Sequence, residues 1–153
     1  QLFFLFQRAR QLEPLAQPDM FGRAIVADFL IDKDPLFARA TLSGDELALY
    51  QKIYETLRPQ APAPDLVLYL QAPAALLIER VRRRGAAFER GISEEYLAVL
   101  AENYTRFFHH YSEAPVLIVN SQNLNFVARE ADFELLVERM RAMKGAREFF
   151  NLG

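Results

Sequence analysis

Residues 65–97 read DLVLYLQAPAALLIERVRRRGAAFERGISEEYL, and the pattern of this stretch decides the fold class. Leu66 to Leu70 is a short apolar run (Leu, Val, Leu, Tyr, Leu) of strand length that ends on the polar Gln71. Ala74 to Arg84 then carries Leu76, Leu77 and Val81 at helical spacing, with Glu79 and Arg83 one turn apart as a favourable charge pair. Gly85-Ala86-Ala87 breaks that helix. A second, longer helix is expected from Glu94 to Tyr111, bearing Tyr96, Leu97, Leu100, Tyr104, Phe107 and Phe108. Arg80, Arg82, Arg83, Arg84 and Arg90 crowd the break, with Glu89 among them. A basic helix end, a glycine hinge and a following helix describe a flap able to close over an anion, because guanidinium donates parallel hydrogen bonds to phosphate oxygens and stays charged. A solvated basic helix end, favoured by the helix dipole, explains the same residues.

Outward from this stretch the alternation continues. Val116 to Val119 is a further apolar strand ending in Asn120-Ser121, and Asp132 to Met143 is the last long helix. Upstream, residues 1–13 place Leu2, Phe3, Leu5, Phe6, Ala9 and Leu12 on a broad apolar face, as a buried helix would, and Gln1 and Arg8 fall about two turns apart on nearly one side. Pro14 and Pro18 end it, and residues 17–23 read as a loop. Ala24 to Ala27 is an apolar run of the kind shown by a parallel strand buried on both faces, ending on Asp28. Asp34 before Pro35 suits the cap of a helical turn. Asp45 to Leu57 is another helix, and residues 59–64 form a proline-stiffened connection. Short apolar strands alternating with helices argue for an α/β parallel sheet with helices on both faces. Ligands then bind beyond the carboxyl ends of the strands, where Asp28, Gln71 and Asn120 stand.

At 153 residues the chain is expected to be one domain. Its formal net charge of −2 supplies no field drawing it to nucleic acid or an anionic membrane. The absence of cysteine excludes disulfides, thiolate nucleophiles and thiolate metal sites, and fits a reducing cytoplasm. No apolar run approaches the roughly 20 residues of a membrane span. The chain starts without methionine in what reads as mid-helix, so the natural protein is expected to begin earlier.

Phosphoryl transfer asks for positioned positive charge, a glycine-rich cradle, a magnesium ligand and a base for the acceptor hydroxyl. The arginines supply the first. The glycines at 22, 44, 85, 91, 145 and 153 build no G-x-x-x-x-G-K-[ST] cradle. Asp28 suits water-mediated magnesium or a hydroxyl proton, and equally a turn cap. Lys33, one of three lysines with Lys52 and Lys144, suits phosphate charge or the surface. Glu89 suits a sugar hydroxyl or an exposed pairing with Arg84 or Arg90. His109 and His110 point in different directions on one helix with no carboxylate at ligand spacing, so no metal site is expected there. No serine sits in a nucleophile-elbow context.

QLFFLFQRARQ, IVADFLIDKDPLFA, DLVLYLQAP, ERVRRRG..FERGISEEYL and VLIVNSQNLNFV, in this order, resemble the deoxynucleoside kinases, most closely the bacterial deoxyadenosine/deoxyguanosine kinase branch. The resemblance spans nearly the whole chain. It implies a thymidylate-kinase-like P-loop fold with a five-stranded parallel sheet, and transfer of the ATP γ-phosphate, with Mg2+, to the 5′-hydroxyl of a deoxynucleoside, a purine one by branch. Carried over by motif, Gln1 and Arg8 resemble the pair that reads the nucleobase. Asp28 matches the acidic first residue of an Asp/Glu-Arg-Ser motif. Arg80 and Arg84 match the flap arginines gathered around the phosphates, and Glu89 the glutamate that bonds the sugar 3′-hydroxyl. Asn120, Asn123 and Phe126 fall in the segment lying against the ATP adenine.

Phe29 and Leu30 stand where the family has Arg and Ser, so Lys33 is expected to supply part of that charge. Ala86 stands where many members carry a further flap arginine, so either transition-state stabilisation is weaker or a neighbour such as Arg82 or Arg83 substitutes. The resemblance further implies that the first strand, the P-loop and the catalytic glutamate precede Gln1. Residues 1–153 would then be the C-terminal two-thirds of one kinase domain, from a truncated or fused polypeptide and inactive alone. A homodimer in the cytoplasm is expected by analogy. A non-catalytic nucleotide-binding or partner subunit without a P-loop, and a nucleoside monophosphate kinase on the same fold, are the other readings the sequence allows.

Overall fold

A computed structural model describes residues 1–12, 24–58, 62–86 and 91–152. They fall into two compact units, Gln1–Ala63 and Pro64–Gly153.

The first unit is helical. Helix α1 (Leu2–Leu12) buries Leu5 and Leu12, a short 3-10 turn (Ile31–Lys33) leads into α2 (Asp34–Thr41), and α3 (Gly44–Leu57) follows. Leu5, Leu12, Ile31, Ala38 and Tyr50 form its core, with Leu2, Phe29, Leu47 and Ile53 packed around them. Two expectations are corrected here. The α1 face buries less than its periodicity promised: Phe3 is 73% exposed, with Phe4 and Phe6 about half exposed. Residues 24–27 are not a strand, and Val26 is 95% exposed. An apolar run becomes a strand only where a neighbouring backbone takes up its N–H and C=O groups, and none does so among the described residues. Asp28 accordingly sits in an exposed bend, not at a strand end.

The second unit is a parallel three-stranded sheet in the order β1 (Val67–Gln71), β2 (Val116–Asn120), β3 (Arg147–Phe150). Strand β3, REFF, lacked a recognisable sequence pattern. The period-2 alternation of side chains assigns the two faces. Leu68, Leu117, Val119 and Phe150 pack with Leu136 and Met140 of α6 (Glu130–Ala142). On the opposite face Tyr69 stacks on Phe108 of α5 (Glu94–His110), with ring centroids 4.4 Å apart. Helices therefore cover both faces, as parallel sheets require. Helix α5 starts at Ser93, whose hydroxyl accepts from the Tyr96 N–H at 3.1 Å. Helix α4 (Ala74–Arg84) ends on Gly85, whose φ of +66° is the left-handed conformation glycine adopts without Cβ strain. The Glu79–Arg83 pair is not among the ion pairs of the described residues, consistent with the small value of exposed pairs.

Candidate functional site

In the second unit the sheet ends in a cleft of about 820 Å³. Its floor follows from the parallel register: the Ser121 N–H donates to the Gln71 carbonyl at 2.8 Å, carrying the β1–β2 pairing one residue past the strand end. The buried Ser121 hydroxyl donates to the same carbonyl at 2.9 Å. From α4, Arg80 donates through Nη1 to the Ser121 hydroxyl at 3.1 Å and through Nη2 to the Ser121 carbonyl at 2.8 Å. Leu70, Leu77, Val81, Leu124 and Phe126 give the cleft apolar walls, Gln122, Asn123 and Asn125 add amides, and Arg80, Arg83, Arg84 and Arg129 add positive charge. Glu79 is the one carboxylate among the lining residues.

The loop after β2 is held by its own polar groups. The Asn125 side-chain oxygen accepts from the Ala128 N–H at 3.0 Å and the Val127 N–H at 3.3 Å, and the Asn125 N–H donates to Asp132 at 2.6 Å. Asp132 also pairs with Arg129 at 2.8 Å, and Arg129 donates to the Asn123 carbonyl. Asn120 is not a lining residue. Its amide donates to Asn151 at 2.9 Å and its oxygen accepts from the Gln122 N–H at 3.0 Å, so it shapes the loop from behind.

The structure thus brings Arg80, Arg84, Asn123 and Phe126 to one cleft, with Arg83 and Arg129 in addition. Of Arg82 and Arg83, the expected substitutes at Ala86, Arg83 lines the cleft and Arg82 does not. Glu89 lies outside the described residues. Ser121 is the participant the sequence hid, because a serine after a strand carries no signal of the guanidinium that will reach it from another element.

The first unit holds a second polar cluster. Arg8 pairs with Asp34, which is 1% exposed, and the Tyr50 hydroxyl donates to the other Asp34 oxygen at 2.7 Å. Asp34 therefore makes no helix-cap bond. Its carboxylate turns inward, where two donors meet it. Lys33 stands beside Arg8, Asp28 and Asp34: burial, then repulsion from Arg8, hold its ammonium below the usual lysine range, against the pull of the two carboxylates. Burial and Asp34 push the Tyr50 hydroxyl far up, so it stays a donor. Next to it, burial and then the charge of Asp32 raise Tyr54 to about 12. Arg8, Lys33 and Asp28 are thus gathered. Gln1, half-buried, begins α1 and accepts the Leu5 N–H through its carbonyl, and no side-chain bond joins it to the cluster among the described residues.

No group of three or more His, Asp or Glu side chains forms a metal cage among the described residues. Magnesium in phosphoryl-transfer sites is held by one or two carboxylates, water and the substrate's phosphates, so Asp28, a single exposed carboxylate, fits that ion. An apolar slot edged by amides and arginines has the chemistry to hold a flat base at one end and an anion at the other. No helix among the described residues is long and apolar enough to cross a membrane.

Comparison with known proteins gives one answer. A family model described as deoxynucleoside kinase matches residues 1–143. The deoxyguanosine kinase of Bacillus subtilis (strain 168) is 33% identical over 150 residues, which cover 94% of this chain and 72% of that protein. The deoxyadenosine kinase of Lactobacillus acidophilus is 26% identical over 128 residues, 74% of this chain and 60% of that protein. Among solved structures, the deoxyadenosine kinase from M. mycoides with bound dATP superposes with a TM-score of 0.74 at 22% identity, covering 92% of this chain and 72% of that one. The same kinase with bound dCTP gives 0.75 at 21% identity, covering 93% of this chain and 71% of that one. At such identity the superpositions establish a shared fold.

Proposed function

Since the chain belongs to the deoxynucleoside kinase family, whose members are ATP-dependent phosphotransferases with a hydroxyl acceptor, we propose that it serves transfer of the ATP γ-phosphate to the 5′-hydroxyl of a purine deoxynucleoside in nucleotide salvage. The match runs through both units, which supports reading them as parts of one kinase domain.

The second unit is the donor side. The observation that carries this is the cleft at the ends of β1 and β2, with Leu70, Leu124 and Phe126 on its walls and Arg80, Arg83 and Arg84 at its edge. The purine ring of ATP enters the apolar slot, where the backbone and amides of 122–125 face its edge. The guanidinium groups meet the polyphosphate, and fixed positive charge there stabilises the loose, charge-spread transition state of phosphoryl transfer. Arg80 and Arg84 are the catalytic arginines. Magnesium, when bound, neutralises charge on the phosphate oxygens.

The first unit is the acceptor side. Arg8, oriented by Asp34, and Gln1 read the base. Asp28 takes the polarity of the 5′-hydroxyl and Lys33 adds positive charge beside it; Glu89, which belongs to the second stretch of chain, is assigned the sugar 3′-hydroxyl by the family motif alone. The family pairs through helices, and the exposed Phe3, Phe4 and Phe6 of α1 fit a homodimer in the cytoplasm.

The test is turnover of the complete open reading frame's product with ATP, Mg2+ and each of the four deoxynucleosides. The expected result is phosphorylation of deoxyguanosine or deoxyadenosine at higher kcat/KM than of either pyrimidine. Retained ATP binding with no turnover of any of them would favour a nucleotide-binding partner subunit instead.

A further inference from the structure

Arg80 reaches from α4 to the residue that follows β2: both Nη atoms end on Ser121, one on the hydroxyl at 3.1 Å and one on the carbonyl at 2.8 Å. Ser121 is 1% exposed, so neither bond is readily exchanged for water. The serine itself is fixed twice to one acceptor, its N–H and its hydroxyl both reaching the Gln71 carbonyl at 2.8 and 2.9 Å. This is a continuous relay from the end of β1 through the residue after β2 to the middle of α4.

Its geometry has a consequence for charge. A hydroxyl that donates to Gln71 directs its lone pairs away from that carbonyl, and Arg80 Nη1 takes one of them. The orientation of the serine hydroxyl is thereby set, and with the carbonyl it forms a two-point socket matching the planar fork of the guanidinium. Two bonds along one edge fix the plane and position of the whole group and leave its remaining N–H groups and its face to the cleft.

We propose that Ser121 is a positioning residue for the donor nucleotide: it holds Arg80 in one orientation before ATP arrives, so the arginine enters the reaction preorganised instead of being ordered by the ligand. A group fixed in advance loses less conformational entropy on binding. The inference rests on the reading of the cleft as the ATP site and deepens it by naming the residue that fixes Arg80 there.

The experiment is a double-mutant cycle in the full-length enzyme with Ser121→Ala and Arg80→Ala, measuring KM for ATP, KM for the deoxynucleoside, kcat and Tm. Ser121→Ala removes the hydroxyl acceptor and keeps the carbonyl. It is expected to raise the KM for ATP roughly tenfold, the scale of a hydrogen bond to a charged group, and to leave the KM for the deoxynucleoside unchanged. The double variant is expected to be no worse for ATP than Arg80→Ala alone, because the serine acts through the arginine. Arg80→Lys, which keeps the charge and cannot fill a two-point socket, gives the same ATP defect should the serine variant fold poorly. A lowered Tm with an unchanged KM for ATP in Ser121→Ala, beside a normal loss in Arg80→Ala, overturns the positioning role alone. An unchanged KM for ATP in Arg80→Ala overturns the donor-site reading and the inference with it.

Discussion

At Lys33 the proposed role and the stability of the fold pull in opposite directions on a single side chain. Burial disfavours its charged form, and the neighbouring Arg8 adds repulsion, so its folded pKa lies below the ordinary 10.5. Between that lowered value and 10.5 the unfolded chain holds more protons than the folded one. Stability contributed through Lys33 therefore rises with pH across that window and is least at neutrality. Tyr54 acts in the opposite sense: raised from 10.0 to about 12, it contributes stability below pH 10 that is lost as pH climbs towards 12. A half-buried ammonium that costs stability fits the phosphate-binding role proposed for Lys33, because costly groups gather at functional sites. Lys33→Met is expected to raise the midpoint of urea unfolding at pH 7, to remove the gain in stability on approach to pH 10.5, and to lower kcat. Chemical denaturation across pH 7 to 10 and a steady-state assay check both halves. A variant both less stable and equally active would place Lys33 among ordinary structural charges.

Among the elements, the end of α4 carries the sharpest local constraint. Gly85 has φ of +66°, and a Cβ built on it would meet nothing within 4 Å. Its substitution is thus a pure backbone experiment: Gly85→Ala is expected to cost about 1 kcal/mol, and Gly85→Asn less, because asparagine tolerates the left-handed region. Urea titration decides it, and an alanine variant as stable as the parent would mean that the helix end readily adopts another conformation. That break was plain in the sequence, as were α4, α5, β1 and β2, since each has a period or a strand-length apolar run of its own. Other elements depend on partners. Residues 24–27 have the composition of a strand and no ladder among the described residues, whereas Arg147–Phe150 gains its ladder from β2 despite an unpromising start. The site divides in the same way. Arg80 and Arg84 stood out through charge crowding, and the resemblance drew attention to Asn123 and Phe126. Asp34 and Ser121 were missed because their partners, Arg8 and Arg80, lie 26 and 41 residues away in the chain.

For the molecule as a whole, the arrangement of charge makes a prediction whose sign discriminates between readings. The chain carries a formal −2, so its overall field weakly repels ATP, while the cleft sets Arg80, Arg83, Arg84 and Arg129 against Glu79. Salt screens both, with a Debye length of about 10 Å at 0.1 M. Were ATP capture governed by net charge, added salt would relieve repulsion and lower the KM for ATP. Were it governed by the local arginines, added salt would weaken their attraction and raise it. The deoxynucleoside is uncharged and feels neither effect to first order. We expect the KM for ATP to rise several-fold between roughly 0.05 and 0.5 M KCl, with the KM for deoxyguanosine or deoxyadenosine changing less than about twofold. Arg83→Gln, which removes one cleft charge without touching the Ser121 socket, is expected to flatten that rise. Steady-state kinetics at four or five salt concentrations, with Mg2+ held constant and in excess over ATP, supply both curves. A KM for ATP that falls or stays level would show that the arginines of α4 are not meeting the polyphosphate.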